Sequence, residues 1–164
     1  MKTMTKSGAQ TAVPFDPSWK SIMECAAMEV FEMMAGVRPE VIASPSEDQQ
    51  GELTAMVGMA GALCGMTTLR CSRAMSTQFA TQMLGGDAAS SLSTAQDALG
   101  EMCNMIAGNF KGKVSNLADH CMLSVPTVIT GGDYSMSTLE PSEGVTLALT
   151  LDGEPIWISL IIHS

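Results

Sequence analysis

The sequence predicts a mixed α/β domain of the α+β type, in which a largely antiparallel sheet is packed by long helices. Three observations favour this class. Apolar residues recur with helical periodicity along much of the chain, and residues 145–162 have the pattern of two strands around an Asp-Gly pair. The elements follow one another as helix, strands, helices and strands. With 164 residues, 46% of them hydrophobic, the chain can form one sizeable core.

The N-terminal part predicts a leader, a helix and a short strand. Residues 1–17 are polar and contain prolines, so we expect a flexible leader ahead of a single domain at residues 18–164. The first helix is predicted for SWKSIMECAAMEVFEMMAG, with Ser18 as its N-cap and Gly36 as its stop. After it, EVIAS indicates a strand and PSEDQQG a turn.

A hairpin and a second helix are predicted next. The segment LTAMVGMAGALCGMTTLRCS has the pattern of two strands joined near Ala60–Gly61. Its spaced glycines do not indicate a phosphate-binding loop, because no Gly-Lys-Ser/Thr follows them. The second helix, SRAMSTQFATQMLGG, has Ser72 as its candidate cap and Gly85–Gly86 as its stop.

The last part of the chain predicts the longest helix and the clearest strands. Ser93 and Gln96 have capping-box spacing, and helical periodicity continues through DALGEMCNMIAGNFKGKVSNLA. The following segment, CMLSVPTVITGGD, is strand-like and interrupted by Pro126. At the end, VTLALTL and IWISLII flank Asp152–Gly153, a pair typical of a two-residue hairpin turn.

Composition argues against several classes of protein. Acidic residues outnumber basic ones 17 to 8, and a net charge of −9 opposes binding to nucleic acid. No apolar run reaches the roughly 20 residues of a membrane helix, and the N-terminus lacks the apolar core of a secretory signal. The five cysteines include no C-x-x-C pair, so we expect no disulfide framework and no metal site, but reduced thiols in the cytoplasm.

A short internal repeat relates the first and third helices. Residues 29–36, EVFEMMAG, match residues 101–108, EMCNMIAG, at Glu, Met, Ala and Gly positions. The match is either a chance similarity of two Met- and Ala-rich helices or the trace of a duplication that gives a pseudo-two-fold domain. The copies differ where the second has Asn104 and the first has Glu32.

The polar side of the third helix carries the candidate site residues. At about 100° per residue, the side predicted to face the core comprises Leu99, Met102, Cys103, Ile106, Phe110, Val114 and Leu117. The opposite side comprises Asp97, Glu101, Asn104, Gly108 and Lys111. Residues three apart on a helix are neighbours, so Glu101 and Asn104 project together. Gly108 adds no side chain, which would let the backbone of another protein approach.

The chemistry of this pair is limited but specific. By pattern alone, a carboxylate and an amide three residues apart also fit an ordinary solvated helix surface. An amide cannot act as a base, but it can donate one hydrogen bond, accept another and so hold a water molecule. Positioning, rather than covalent chemistry, dominates phosphoryl hydrolysis.

The segment GEMCNMIAGNFK resembles the E-x-x-N signature of the CheC/CheX/FliY phosphatases of bacterial chemotaxis. VFEMMAG, VGMAGALCGMTTLRCS and STQFATQML are similar to the CheX branch in the same order, so the resemblance covers residues 18 to 130. It implies a CheC-like pseudo-two-fold domain that hydrolyses the aspartyl phosphate of a CheY-like response regulator.

The resemblance also implies the roles of individual residues. Asn104 would orient the attacking water, and Glu101 would pair with the active-site lysine of the receiver domain. Asp97, Gly108 and Lys111 are possible contacts with that partner, although Lys111 also fits a helix end, where the dipole favours a cation. No cofactor is expected in this chain, because the Mg²⁺ of the reaction would be bound by the partner receiver domain.

CheC-type proteins carry the motif in both copies and CheX-type proteins carry it once. Because Glu32 replaces the amide in the first copy, a single active site is expected. The resemblance further implies a homodimer, and the apolar tail IWISLIIHS suggests a surface in need of cover. Two alternatives remain open at this stage: a non-catalytic adaptor or sink for a phosphorylated receiver domain, and a structural protein associated with the flagellar switch.

Overall fold

A computed structural model describes residues 13–45, 48–85, 91–134 and 142–163. Its helices are α1 (Trp19–Val30), which continues as a π-helical turn (Phe31–Ala35), α2 (Arg73–Leu84) and α3 (Leu92–Lys113). Its strands are β1 (Glu40–Val41), β2 (Leu53–Gly61), β3 (Gly65–Cys71), β4 (Cys121–Leu123), β5 (Thr127–Thr130), β6 (Ser142–Leu151) and β7 (Glu154–His163). The predicted class, helices packed on a largely antiparallel sheet, is confirmed.

The sheet has the pseudo-two-fold arrangement that the internal repeat predicts. Its strand order is β1-β6-β7-β3-β2-β4, with β5 also pairing with β2, and every pairing is antiparallel. The β2–β3 hairpin follows α1 and β1, and the β6–β7 hairpin follows α3, β4 and β5. The first strand of each half pairs with the hairpin of the other half, β1 with β6 and β4 with β2. Helix α2 has no counterpart among the described elements of the second half.

The ends of α1 and α2 agree with the sequence, with one difference in detail. Gly36 ends the π-helical turn in the left-handed conformation, at φ 62°, which a glycine adopts without strain. Ser72 caps α2 by accepting a hydrogen bond from the N–H of Met75 at 3.1 Å. Ser18 occupies the N-cap position of α1, but its hydroxyl makes no capping bond there.

The predicted start of α3 is wrong by two residues. Ser91, not Ser93, is the N-cap, and its hydroxyl accepts a hydrogen bond from the N–H of Thr94 at 3.1 Å. The side chain of Gln96 does not close a capping box. It donates instead to the hydroxyl of Thr130 on β5 at 2.7 Å, because the start of α3 lies against that strand.

One of the two predicted hairpin turns is confirmed, and the other lies at different residues. Asp152 and Gly153 both have positive φ values, 52° and 79°, as a type I′ turn requires, so the β6–β7 turn is confirmed. The β2–β3 turn lies at residues 62–64 rather than at Ala60–Gly61, because β2 continues through Gly61. Pro126 separates β4 from β5, as expected.

The core lies between the helices and one face of the sheet. Every apolar residue predicted for the inner side of α3 is buried, together with Met23 and Phe31 from α1 and its extension. The predicted end of α3 is wrong, because the helix stops at Lys113, so Val114 and Leu117 are buried from the turn that follows it.

The prediction that the apolar C-terminal tail is an exposed surface, which a dimer would cover, is wrong. The tail forms β7 between β6 and β3, and Ile156, Ile158 and Leu160 are buried in the core of this chain.

The predicted leader at residues 1–17 is described by the structure only from Val13 onward, and residues 1–12 lie outside the described residues. From Val13 onward the chain contacts the domain, since the N–H of Val13 donates to the carbonyl of Ala62 at 2.8 Å and Phe15 packs edge-on against Trp19. None of the helices in the described part is long and apolar enough to cross a membrane.

Candidate functional site

Helix α3 places Glu101 and Asn104 together at the surface. The inner side of the helix packs on β2 and the neighbouring strands, which fixes the direction of its outer side. Glu101 is exposed and Asn104 is half-buried, one turn apart. Neither side chain has a hydrogen bond or ion pair with any residue that the structure describes. Both groups are therefore available to an external partner.

The part of α3 around Asn104 lies against the broken edge of the sheet formed by β4 and β5. Gly100 and Gly108 stand one turn before and after Asn104. A Cβ atom on Gly100 would lie 3.4 Å from the Cβ of Pro126, and one on Gly108 would lie 3.8 Å from the Cδ1 of Leu123. Gly108 is half-buried against the sheet of its own chain. It therefore leaves less room for the backbone of another protein than the sequence pattern predicted. Asn104 thus stands where the helix meets the sheet edge.

The other predicted contact residues also lie on α3. Asp97 is exposed one turn before Glu101, and Lys111 is half-buried near the C-terminal end of the helix. Lys113 differs from them, because its ammonium group donates to the carboxylate of Glu29 on α1 at 2.9 Å. That lysine belongs to the contact between α1 and α3 rather than to the exposed site.

The corresponding acidic residues of the first copy are bound within the chain. Glu29 accepts hydrogen bonds from the amide of Asn109 at 2.8 Å and from Lys113. The Asn109 and Lys113 hydrogen bonds lower the pKa of Glu29, and the Glu29 hydrogen bond raises the pKa of Lys113. Glu32 pairs with the guanidinium of Arg38 at 2.6 Å. These carboxylates are occupied, in contrast to Glu101.

Cys103 lies inside the motif and is a packing residue, as the helical periodicity predicts. It is fully buried, and its thiol contacts the carbonyls of Ala55 and Thr67 at 3.7 and 3.6 Å. Burial raises the pKa of this thiol to about 12, so it is protonated and unreactive at neutral pH.

Sequence reasoning missed the side-chain bonds that hold α3 near the site. Gln96 was predicted to close a capping box, and no contact with another element was predicted for Asn109. Both instead bond to other elements, Asn109 to α1 and Gln96 to β5. The partners of Asn109 lie about eighty residues away in the chain, so no local pattern could have identified them.

Comparison with known proteins identifies the fold and the family. The family model described as chemotaxis phosphatase CheX matches residues 53–150, more than half of the chain. No curated protein matches the chain significantly in sequence.

Several solved structures have the same fold. The crystal structure of chemotaxis protein CheX from Vibrio vulnificus matches with a TM-score of 0.77 and 15% identity, over 92% of this chain and 100% of that one. CheX from Desulfovibrio desulfuricans matches with a TM-score of 0.76 and 21% identity, over 89% of this chain and 99% of that one. CheX in the CheX-CheY-BeF3-Mg²⁺ complex from Borrelia burgdorferi matches with a TM-score of 0.74 and 21% identity, over 89% of this chain and 98% of that one. These structures show the fold, and the family match over more than half of the chain shows that it belongs to the chemotaxis phosphatase CheX family.

Proposed function

We propose that this protein is a phosphatase that hydrolyses the aspartyl phosphate of a CheY-like response regulator. One observation carries the proposal: a carboxylate and an amide, Glu101 and Asn104, stand one turn apart on the outer side of α3 without partners among the described residues. Membership of a family named for phosphatase activity supports the reaction class. The Borrelia burgdorferi relative in complex with CheY, BeF3 and Mg²⁺ supports the class of partner.

The proposed mechanism assigns a different task to each side chain. The amide of Asn104 enters the active site of the receiver domain, where it holds a water molecule in line with the phosphorus atom. An acyl phosphate is already reactive, so a correctly placed water supplies most of what is missing. Glu101 pairs with the active-site lysine of the receiver and fixes the orientation of docking. The Mg²⁺ ion belongs to the receiver domain, and this chain contributes no cofactor.

The test is a phosphate-release assay. Receiver domains phosphorylated by a small-molecule donor are mixed with catalytic amounts of this protein, and inorganic phosphate is followed over time. Multiple turnovers above the autohydrolysis rate of the receiver would support the proposal. Binding of the phosphorylated receiver with no added hydrolysis would favour the adaptor or sink. Neither binding nor hydrolysis with any receiver would favour a structural role in the flagellar switch.

A second prediction concerns the first copy of the repeat. Replacing Glu32 with Asn restores the E-x-x-N spacing, but it should not create a second active site. Glu29 is already bound by Asn109 and Lys113, so it cannot dock a receiver without breaking the contact between α1 and α3. The measurement is phosphate release by Glu32→Asn in a background that also carries Asn104→Ala. Turnover above the rate of Asn104→Ala alone would contradict the prediction.

We also propose that the protein is a cytoplasmic homodimer. All five cysteines are free thiols, three of them buried, which suits a reducing compartment. The dimer rests on the resemblance to CheX proteins alone, since β7 is covered within the chain. Sedimentation equilibrium at micromolar concentration should give twice the mass of one 17.2 kDa chain. A monomer mass across that concentration range would contradict the dimer.

A further inference from the structure

The contact between α1 and α3 includes a side-chain cluster that the proposed mechanism does not use. The amide nitrogen of Asn109 donates to the carbonyl of Ala26 at 3.2 Å and to the carboxylate of Glu29 at 2.8 Å. Lys113, one turn further along α3, donates to the other oxygen of Glu29 at 2.9 Å. We call Ala26, Glu29, Asn109 and Lys113 the helix anchor. It joins the third helix to the first by three hydrogen bonds.

The helix anchor brings the two copies of the repeat into contact. Glu29 in the first copy occupies the position of Glu101 in the second. Glu101 is open to a partner, whereas Glu29 is bound inside the chain by residues that follow the motif of the second copy. Glu29 of the first copy therefore helps to hold α3, the helix that carries Asn104.

The position of the helix anchor along α3 is what relates it to the site. Asn109 is five residues after Asn104, so the two amides point about 140° apart around the helix axis. Near its other end, α3 is bound to β5 through Gln96 and the hydroxyl of Thr130. Between these two attachments, Gly100 packs on Pro126 at the sheet edge. Asn104 thus lies between two side-chain attachments that face different elements.

Two such attachments restrict rotation of the helix about its own axis. Apolar packing alone resists separation of α3 from the sheet but is less selective about small rotations, because it is not directional. A hydrogen bond at 2.8 Å from one amide to a fixed carboxylate is directional. A rotation that broke it would also move the amide of Asn104, and displacements of about 1 Å at a reacting centre can cost a hundredfold in rate.

We infer that Asn109 is a positioning residue: it binds the Glu29 carboxylate of the diverged copy and so sets the rotation at which α3 presents Asn104 to the phosphorylated partner. This inference rests on the proposed function, because it describes how the same site is held. Asn109 does not contact the substrate. Its effect should therefore appear in the chemical step and not in docking.

The test uses Asn109→Leu, which keeps the approximate size of the side chain and removes its hydrogen bonds, and Asn109→Asp, which places a carboxylate opposite Glu29. Both should lower kcat for phosphate release about tenfold, because a displacement of Asn104 smaller than about 1 Å costs less than the hundredfold expected for a full ångström. KM and the affinity for the beryllofluoride-loaded receiver should stay unchanged. Arg38→Ala is the matched control, because it also removes a side-chain pair from the first copy but does not touch α3.

A reversed pair separates positioning from general loss of stability. In Asn109→Asp combined with Glu29→Gln, an amide again faces a carboxylate with donor and acceptor exchanged, and part of the lost kcat should return. Unchanged kcat in both single variants, with an active wild type, would overturn the inference. So would an equal loss in Arg38→Ala, or the absence of any recovery in the double variant.

The outcome remains informative if the wild type releases no phosphate. In that case the proposed function fails, and the helix anchor is judged by hydrogen exchange of the backbone. Faster exchange of residues 101–108 in Asn109→Leu, with no change in Arg38→Ala, would show that Asn109 holds this part of α3. Identical exchange in the wild type and Asn109→Leu would overturn the anchoring itself.

Discussion

Replacing Asn104 with alanine is expected to abolish catalysis while leaving binding of the phosphorylated receiver largely intact. Among the side chains predicted for the outer side of α3, the amide of Asn104 is the only group that can both donate to and accept from a water molecule, since Glu101 beside it only accepts when ionised. Without it, water reaches the phosphorus atom only by chance alignment. The expected loss in kcat is at least about a hundredfold, or about 2.7 kcal/mol in activation free energy.

Two measurements make this prediction specific. Phosphate release gives kcat, and titration with the beryllofluoride-loaded receiver gives affinity without turnover. Asn116→Ala is the matched control, because it removes an exposed amide just beyond α3 and should leave both quantities unchanged. Asn104→Asp should be as inactive as the alanine variant, because a carboxylate repels the phosphoryl group. Wild-type turnover by Asn104→Ala would exclude this site as the catalytic one.

Replacing Glu101 with alanine is expected to reduce both affinity and turnover. The carboxylate is exposed in the free protein and has no ion pair with a described residue, so its full charge is available to the receiver lysine. An ion pair at an interface sets orientation and the rate of encounter more than it sets affinity. We expect kcat/KM to fall about tenfold to a hundredfold, with a contribution from each constant.

Salt dependence is the second readout for Glu101. If the residue forms an ion pair with the partner, the association rate of the wild type should fall more steeply with ionic strength than that of Glu101→Ala. Glu40→Ala is the matched control, because Glu40 is an exposed carboxylate on β1, at the opposite edge of the sheet from β4 and β5. Equal losses in the two variants would indicate a general charge effect and no specific pair.

The sequence predicted those parts of the fold that depend on neighbours in the chain. Helical periodicity identified the buried side of α3 and hence its outer residues, because the 3.6-residue repeat is a local property. Gly36 and the Asp152–Gly153 turn were predicted because their backbone conformations require particular residue types. The same local rules failed for Ser93, since Ser91 and Ser93 are both good N-caps and only the tertiary position of α3 decides between them.

The features that sequence could not give are those that join distant segments. The tail was interpreted as an exposed apolar surface, but pairing with both β6 and β3 makes it a central strand. The bond between Asn109 and Glu29 spans eighty residues, and nothing near Asn109 indicates it. The π-helical turn at Phe31–Ala35 was not predicted either, because its five residues fit an ordinary helix equally well. For the site, sequence predicted the two candidate residues and their surface position, but not what holds their helix.

The exchange of edge strands between the two halves has a consequence for the copy without the amide. A fragment that began at α3 would lack β1 beside β6, β3 beside β7, and β2 beside β4 and β5. The remaining strands would then leave rows of backbone N–H and C=O groups open to aggregation. Although it lacks the amide, the N-terminal half is thus indispensable as a folding template, and a deletion that spared every residue of the E-x-x-N segment would still destroy the protein.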